Sequence, residues 1–348
     1  MTADAGGPAL RLGLSLGYWG SRQPEGQAEL VATAEELGLD SVWTSEAYGS
    51  DALTPLAWLG SRTRRLRLGT AIAQMSARTP VATAMAAMTM DHLSGGRFVL
   101  GLGASGPQVV EGWYGQPYPK PLARTREYVE ILRATFRREV VTSAGEHYPI
   151  PVAGGSGLGK PLRSTLHPLR TEIPVLLAAE GPKNVALAAE IADGWMPLFY
   201  APSDDAGYRA ALAEGFARRP GGRPDGFEVA CMVDVEIDDD VEAAADRLRP
   251  KLALYVGGMG ARGANFHYEV FARMGFEEEC ARIQTLYLDG AKAEAAATVP
   301  LEMVEKVALV GPREKIAGEM GAWRDSPVTT LLVAGTPDTL RTMADVVR

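Results

Sequence analysis

Cysteine is nearly absent: Cys231 and Cys280 are the only 2 among 348 residues. A pair so far apart makes neither a metal-ligand spacing nor a redox motif, and it suits a reducing compartment, the cytoplasm. Histidine is almost as sparse. His92, His147, His167 and His267 are scattered along the chain, so a zinc site has little support and no metal is expected. No stretch approaches the ~20 apolar residues that cross a bilayer, and the opening segment, Met1 to Ala9, lacks the basic start and apolar run of a secretion signal. Membrane attachment is not expected. Nor is nucleic-acid binding, because 35 basic residues stand against 43 acidic ones, a net charge of −8, with no basic block long enough to track a phosphate backbone.

What is present is an ordinary globular composition, 46% hydrophobic and 22% charged, laid out as short apolar strands alternating with helices. The pattern predicts strands at 10–16, 41–44, 66–72, 98–102, from 173, at 194, at 227–237 and at 329–333. It predicts helices over 27–37, 54–62, 80–93, 122–138, 203–218, 312–323 and 337–347. Strands that alternate with helices pair in parallel, and the α/β architecture that completes this count most often is the closed (β/α)8 TIM barrel, taken here as a single domain over 1–348. Two segments interrupt the alternation. Residues 139–172 are rich in glycine and proline and too long for an ordinary connection, and they read as a lid. Residues 241–307, rich in alanine, glutamate and arginine, read as a helical insertion, mostly a packed pair, at the C-terminal face; it offers Tyr255 and His267 to a substrate.

Reactive groups in such a barrel sit where strands end. Strand one ends in Gly17-Tyr18-Trp19-Gly20, whose aromatics serve either as walls for a flat ring or as packing at the loop base. Strand two ends in Ser45-Glu46, a carboxylate placed to exchange a proton, to hydrogen-bond a substrate or to cap the next helix. Strand three runs into Thr70-Ala71-Ile72, and strand four into Gly101-Leu-Gly103-Ala-Ser105-Gly106-Pro107. That glycine spacing fails as a dinucleotide fingerprint, since Pro107 interrupts it, but it lets a ligand approach the backbone. The fifth strand leads into Ala178-Ala179-Glu180-Gly181-Pro182. This is a tight turn of small residues before a helix that Pro182 opens, and its backbone N–H groups suit a phosphate.

Together with Asp91-His92-Leu93-Ser94-Gly95-Gly96-Arg97-Phe98 and Asp193-Gly194-Trp195, these strand ends resemble the bacterial luciferase-like superfamily over nearly the whole chain. The runs Ser105 to Tyr114 and Glu180 to Leu187 are most similar to the branch that uses the deazaflavin coenzyme F420, which includes methylenetetrahydromethanopterin reductase and many actinobacterial oxidoreductases. The resemblance implies coenzyme F420 at the C-terminal ends of the strands and a non-prolyl cis bond at Ala71–Ile72, in a bulge against which the ring leans. Ser45 and Glu46 would face the ring, and Thr70, Ala71, Ile72 and Gly103 would be among the cofactor-binding residues. The turn Ala178, Ala179, Glu180, Gly181 and Pro182, with Ser105 and Gly106 beside it, would hold the tail phosphate. It also implies hydride transfer to or from a small-molecule substrate, with Glu46 for proton traffic or positioning and Tyr18, Trp19 and Trp113 as walls. Relatives pair as homodimers through helices near strands two and three, where Trp58 would suit such a surface.

Glu180 departs from the uncharged residue of many relatives. Either it turns away and the backbone meets the phosphate, or the turn serves the ring. The alternative cofactor is FMN, in a two-component monooxygenase of the same superfamily. The luminescent and sulfonate-cleaving relatives of that kind use a histidine near strand two, and this chain has none before His92. A non-catalytic binding protein would carry bulky replacements in the turn, yet Ala178, Ala179 and Gly181 are small.

Overall fold

A computed structural model describes residues 10–347, so the segment 1–9, read above for a secretion signal, lies outside the described residues. Short apolar runs form β1 (Arg11–Ser15), β2 (Ser41–Thr44), β3 (Arg67–Thr70), β4 (Ala73–Gln74), β5 (Phe98–Gly103), β6 (Val175–Ala178), β7 (Gly194–Met196), β8 (Glu228–Ile237), β9 (Ala308–Gly311) and β10 (Thr330–Val333). Between them lie α1 (Gln27–Leu37), α2 (Leu53–Gly60), α3 (Pro80–Ser94), α4 (Pro107–Gly112), α5 (Pro121–Phe136), α6 (Pro182–Ile191) and α7 (Ala206–Arg218). After β8 come α8 (Val241–Gly258), α9 (Phe266–Arg273), α10 (Glu277–Leu288), α11 (Lys292–Thr298) and α12 (Leu301–Val307), and then α13 (Arg313–Asp325) and α14 (Pro337–Val347) flank β10. Local chemistry sets the boundaries. Thr79 caps α3 by accepting from the Ala82 N–H, Pro80 opens it, and Gly95, at φ 67°, ends it in the left-handed conformation.

The strands close into the expected parallel (β/α)8 barrel. β1 lies between β10 and β2, the order runs on through β3, β5, β6, β7 and β8, and β8 pairs with β10 to seal the ring. β4 continues the third stave beyond a bulge and pairs with β5. β9 was not expected; it pairs with Asp234 to Ile237 at the upper end of β8. Its four apolar residues follow α12 without a turn signal, so the sequence reads straight through them.

Large and small residues interlock inside the barrel. The buried Trp43 indole fills the space that Gly69 leaves open, where a Cβ would overlap the ring, and Val99, Leu176, Met196, Ala230 and Leu332 pack with it. A charge network closes the opposite end, at the strand starts. Arg67 binds Glu228 Oε2 at 2.9 Å and Asp40 Oδ2 at 3.1 Å, and Arg11 reaches Glu228 at 3.0 Å. The site is thereby left to the other face.

The two interruptions behave differently from one another. The insertion is not a helical pair: α8 to α12 surround a core of their own that includes Leu252, Val256, Phe271, Ile283 and Met303. Gly275 (φ 96°) and Gly290 (φ 86°) make the reversals after α9 and α10. Residues 139–172 contain no helix and run up the outer side of α5 and back. The His147 and Tyr148 N–H groups donate to Glu127, Lys120 meets Glu146 at 2.9 Å, and Arg170 returns to Asp91 and to the Phe98 carbonyl. On these contacts the expected lid lies against the barrel wall and not across the mouth. No helix among the described residues is long and apolar enough to cross a membrane.

Candidate functional site at the C-terminal face of the barrel

After β3 the chain turns through Ala71–Ile72, whose peptide bond is cis as the resemblance implies. Neighbouring strands grip this bulge. The Ala71 N–H donates to the Thr44 carbonyl (2.7 Å), the Ser45 hydroxyl to the Ala71 carbonyl (2.7 Å), and the Glu46 N–H to the Ile72 carbonyl (3.0 Å). Thr70 Oγ donates to the Gly101 carbonyl at 2.7 Å and accepts from the Gly101 N–H at 3.0 Å. Ser45 and Thr70 thus spend their hydroxyls on backbone.

Glu46 is also fully engaged. Its buried carboxylate accepts from the Gln74 N–H at 2.8 Å and from both ends of the Arg78 guanidinium at 2.9 Å. Such a bidentate pair fixes the geometry of the carboxylate and favours its ionised form. Gln74 donates its amide to the Glu46 carbonyl (3.1 Å), which leaves Gln74 Oε1 buried without a partner, as is the nearby Ser76 Oγ. Neither Gln74 nor Arg78 was singled out from sequence. The only signal was a lone arginine in a rim loop, and nothing in the spacing showed that it faces Glu46.

Above the bulge the small residues form a platform. A Cβ on Gly103 would overlap Ile72 and stand 3.7 Å from Ala178 Cβ, so Ile72 packs over Gly103 beside Ala178, an apolar patch on top of the interior cluster. A side chain at Gly101 would collide with the Thr70 carbonyl. Ser105, at φ 59°, and Gly106 then lead the chain into α4.

The turn after β6 comes to the edge of this platform. Trp195 Nε1 donates to the Ala179 carbonyl at 2.8 Å, and Gly181 caps α6 with no side chain, Pro182 standing first in the helix. Glu180 turns onto α9 and does not face solvent. Its Oε1 lies 2.8 Å from Nδ1 of His267 on α9, an ion-pair distance without hydrogen-bond alignment, and its Oε2 is buried and unpartnered. Arg273, also on α9, donates to the Glu180 carbonyl at 3.2 Å. His267 stands edge-on to Phe199 (5.7 Å between centroids) and Tyr255 (4.8 Å). Burial holds the Tyr255 hydroxyl protonated well above its ordinary range, and the nearby Tyr18, Asp234, Glu180 and Tyr48 add to that.

Phe266 lies within 3.9 Å of where a Gly106 Cβ would stand, and Lys251 grips Asp234 at 2.7 Å. The insertion therefore meets the ends of β5, β6 and β8 at once. Of the expected aromatic walls, Tyr18 is at this rim and 38% exposed, while Trp19 donates its indole N–H outward to Gln27 at 3.2 Å and Trp113 is exposed. Phe199, Lys251, Phe266 and Arg273 were missed, because their partners belong to elements far away in sequence. No cluster of three or more metal-ligating side chains occurs among the described residues.

A closed parallel barrel with small residues at its C-terminal strand ends defines a (β/α)8 protein, a fold whose sites lie at that face. The chain belongs to the luciferase-like monooxygenase family, whose model matches residues 13–330. It is 54% identical over 344 residues to Rv3520c of Mycobacterium tuberculosis, provisionally named a coenzyme F420-dependent oxidoreductase, with 97% of this chain and 99% of that one covered. It is 29% identical to the 5,10-methylenetetrahydromethanopterin reductase of Archaeoglobus fulgidus, with 88% of each covered. Among solved structures, the coenzyme F420-dependent tetrahydromethanopterin reductase of Methanopyrus kandleri superposes with a TM-score of 0.80 over 98% of each chain at 23% identity, a likeness of fold.

Proposed function

We propose that this protein is a coenzyme F420-dependent oxidoreductase that passes a hydride between the deazaflavin and a small organic substrate, as a cytoplasmic enzyme. The platform of Ile72, Gly103 and Ala178 carries the reading, in a chain 54% identical to a relative with an F420-dependent name. The residues fit such a group. Small side chains leave room for a ring, and the orphaned acceptors Gln74 Oε1, Ser76 Oγ and Glu180 Oε2 match ring-edge or hydroxyl donors. When bound, the deazaflavin supplies a carbon that takes or gives a hydride.

The chain's own part is binding, orientation and exclusion of water. Ile72, Gly103 and Ala178 support the ring, and Ser45, Thr70 and Ala71 fix the bulge beneath it. Ser105, Gly106, Ala179, Gly181 and the start of α6 after Pro182 meet the phosphate through backbone N–H groups, with Arg273 adding positive charge. Glu46, bound to Arg78, positions the bulge, and Tyr18 walls the substrate side. The insertion, part of the same barrel domain, covers the mouth. Trp58 on α2, 62% exposed, marks the face on which we place a homodimer contact.

Titration of the purified protein with F420 and separately with FMN, read by tryptophan quenching, tests the reading. Saturable quenching by F420 in the micromolar range is expected. Tight FMN binding without any F420 response would replace this function with that of an FMN monooxygenase.

A further inference from the structure

We propose that the cavity behind the bulge is a second ligand site, separate from the one given to the cofactor, and that it takes a small carboxylic acid with an apolar body. The proposal goes beyond the F420-dependent reading and does not need it. Its first support is the place and size of the cavity. Met75 to Thr79, which carry the chain from β4 to α3, form one side, the stretch from Gln116 to Arg124 at the start of α5 a second, and Tyr148 of the 139–172 segment a third. Neither Ile72, Gly103 and Ala178 nor the turn after β6 lines it. Its volume of about 190 Å³ falls below the ~300 Å³ at which drug-sized sites begin, so its occupant is small.

The second support is the charge left over inside it. The Arg124 guanidinium stands 5.3 Å from the centre of the Tyr148 ring and has no carboxylate partner among the described residues. Two carboxylates of the neighbourhood are taken: Glu46 holds Arg78, and Glu127 accepts from the His147 and Tyr148 N–H groups. One half-buried positive charge is therefore unmatched. Pro121, also in the wall, opens α5, a 16-residue helix without a side-chain cap, which adds the positive end of a helix at the same place.

The third support is an orphaned hydroxyl. Ser76 Oγ is buried without a partner. A hydroxyl has one donor and two acceptor sites, so Ser76 can donate to a carboxylate here and still accept from a ring edge. Burial raises the Tyr118 and Tyr148 phenols above their ordinary range, which keeps both as neutral donors. The planar fork of Arg124 matches a carboxylate. Met75, Val110 and Pro117 supply apolar wall, which favours an acid with an apolar body over a bare inorganic anion. Arg78 already carries Glu46, so a dianionic phosphate would be left under-neutralised.

The test titrates the full chain calorimetrically with benzoate, with benzamide as its neutral counterpart and with inorganic phosphate, each with and without saturating F420. Benzoate should bind once per chain with a Kd of about 0.1–1 mM, and benzamide at least about tenfold more weakly. Saturating F420 should leave the benzoate stoichiometry at one. Arg124→Gln should weaken benzoate at least about tenfold, and Ser76→Ala about threefold. If Arg124→Gln lowers the melting temperature, Arg124→Lys decides: it keeps the charge without the fork, and its affinity should fall between those of the native protein and Arg124→Gln. Equal binding of benzamide, unchanged benzoate affinity in Arg124→Gln, phosphate binding as tight as benzoate, or no benzoate binding at millimolar concentration overturns the proposal. Displacement of benzoate by F420 also overturns it, because the cavity then belongs to the cofactor's own site. If the protein does not bind F420, the arms without F420 still decide, and that failure counts against the function proposed above alone.

Discussion

The two long excursions from the barrel, 137–174 and 241–307, differ in what they can bury. The first exposes Val152, Leu158, Leu162 and Leu169 and is held by hydrogen bonds and ion pairs to α5 and to Asp91. The second buries Leu252, Val256, Phe271, Ile283 and Met303 among its own helices and projects Phe266, His267 and Arg273 onto the strand ends. A segment held over an open mouth has no wall to lean on, so it needs its own apolar core to offset the entropy of ordering it. A glycine- and proline-rich chain lacks that core and lies along an existing surface. The contacts that reach the strand ends therefore come from the helical insertion, although composition alone suggested the other segment.

The most severe way to strain this comparison is to damage the insertion core. Phe271 is fully buried and packs 5.0 Å from Phe199. Phe271→Ala should cost about 3–5 kcal/mol in denaturant unfolding and weaken F420 binding together with it. Lost stability with F420 affinity intact would show that the insertion folds on the barrel without serving the site. A gentler change acts on orientation. Asn265 caps α9 by accepting from the N–H groups of His267 and Tyr268, and its amide donates to the carbonyls of Tyr255 and Val256. Asn265→Ala should cost about 1–2 kcal/mol and loosen His267 and Tyr255 together. Raised KM with unchanged F420 affinity is then the expected kinetic signature.

Much of the barrel is legible in the sequence because hydrophobic periodicity and glycine ends are local: the strand order, and helices such as 27–37 and 337–347, follow from neighbours along the chain. The cis bond at Ala71–Ile72 was legible only through family resemblance, since nothing in its own residues demands it. The site's polar pairs were not legible. Glu46 reads as a free carboxylate until the fold brings Arg78 onto it, and the direction of Glu180 was open until α9 placed a histidine beside it. Both are tertiary facts that no local pattern encodes. The extra strand β9 and the several helices of the insertion were missed for a related reason, because the breaks between them depend on packing within its core.

Limited proteolysis separates the two excursions without altering either. Arg163 is exposed in the first, and Arg262 is exposed in the loop between α8 and α9. Exposed loops are cut at rates set by their local opening. Saturating F420 should slow trypsin at Arg262 by about tenfold, because that loop leads into α9, and should leave cleavage at Arg163 unchanged. Equal protection of both would mean that both close over the cofactor.

The smallest expected effect bears most directly on the discarded lid. Leu158, 86% exposed, is the kind of apolar residue that a lid would press onto a ligand. If the segment stays on the wall, Leu158→Ser changes stability by no more than about 0.5 kcal/mol and leaves F420 affinity and KM as they were. The segment nevertheless has one route to the rim: Tyr148 packs 5.5 Å from Tyr128, under the Arg124 guanidinium, and lines a cavity with Ser76 and Arg78 behind the bulge. Tyr148→Ala could disturb the site through that cavity, whereas Leu158→Ser could do so only if 152–162 swings across the mouth. A severalfold rise in KM for Leu158→Ser alone would therefore restore the lid and reverse the roles of the two excursions.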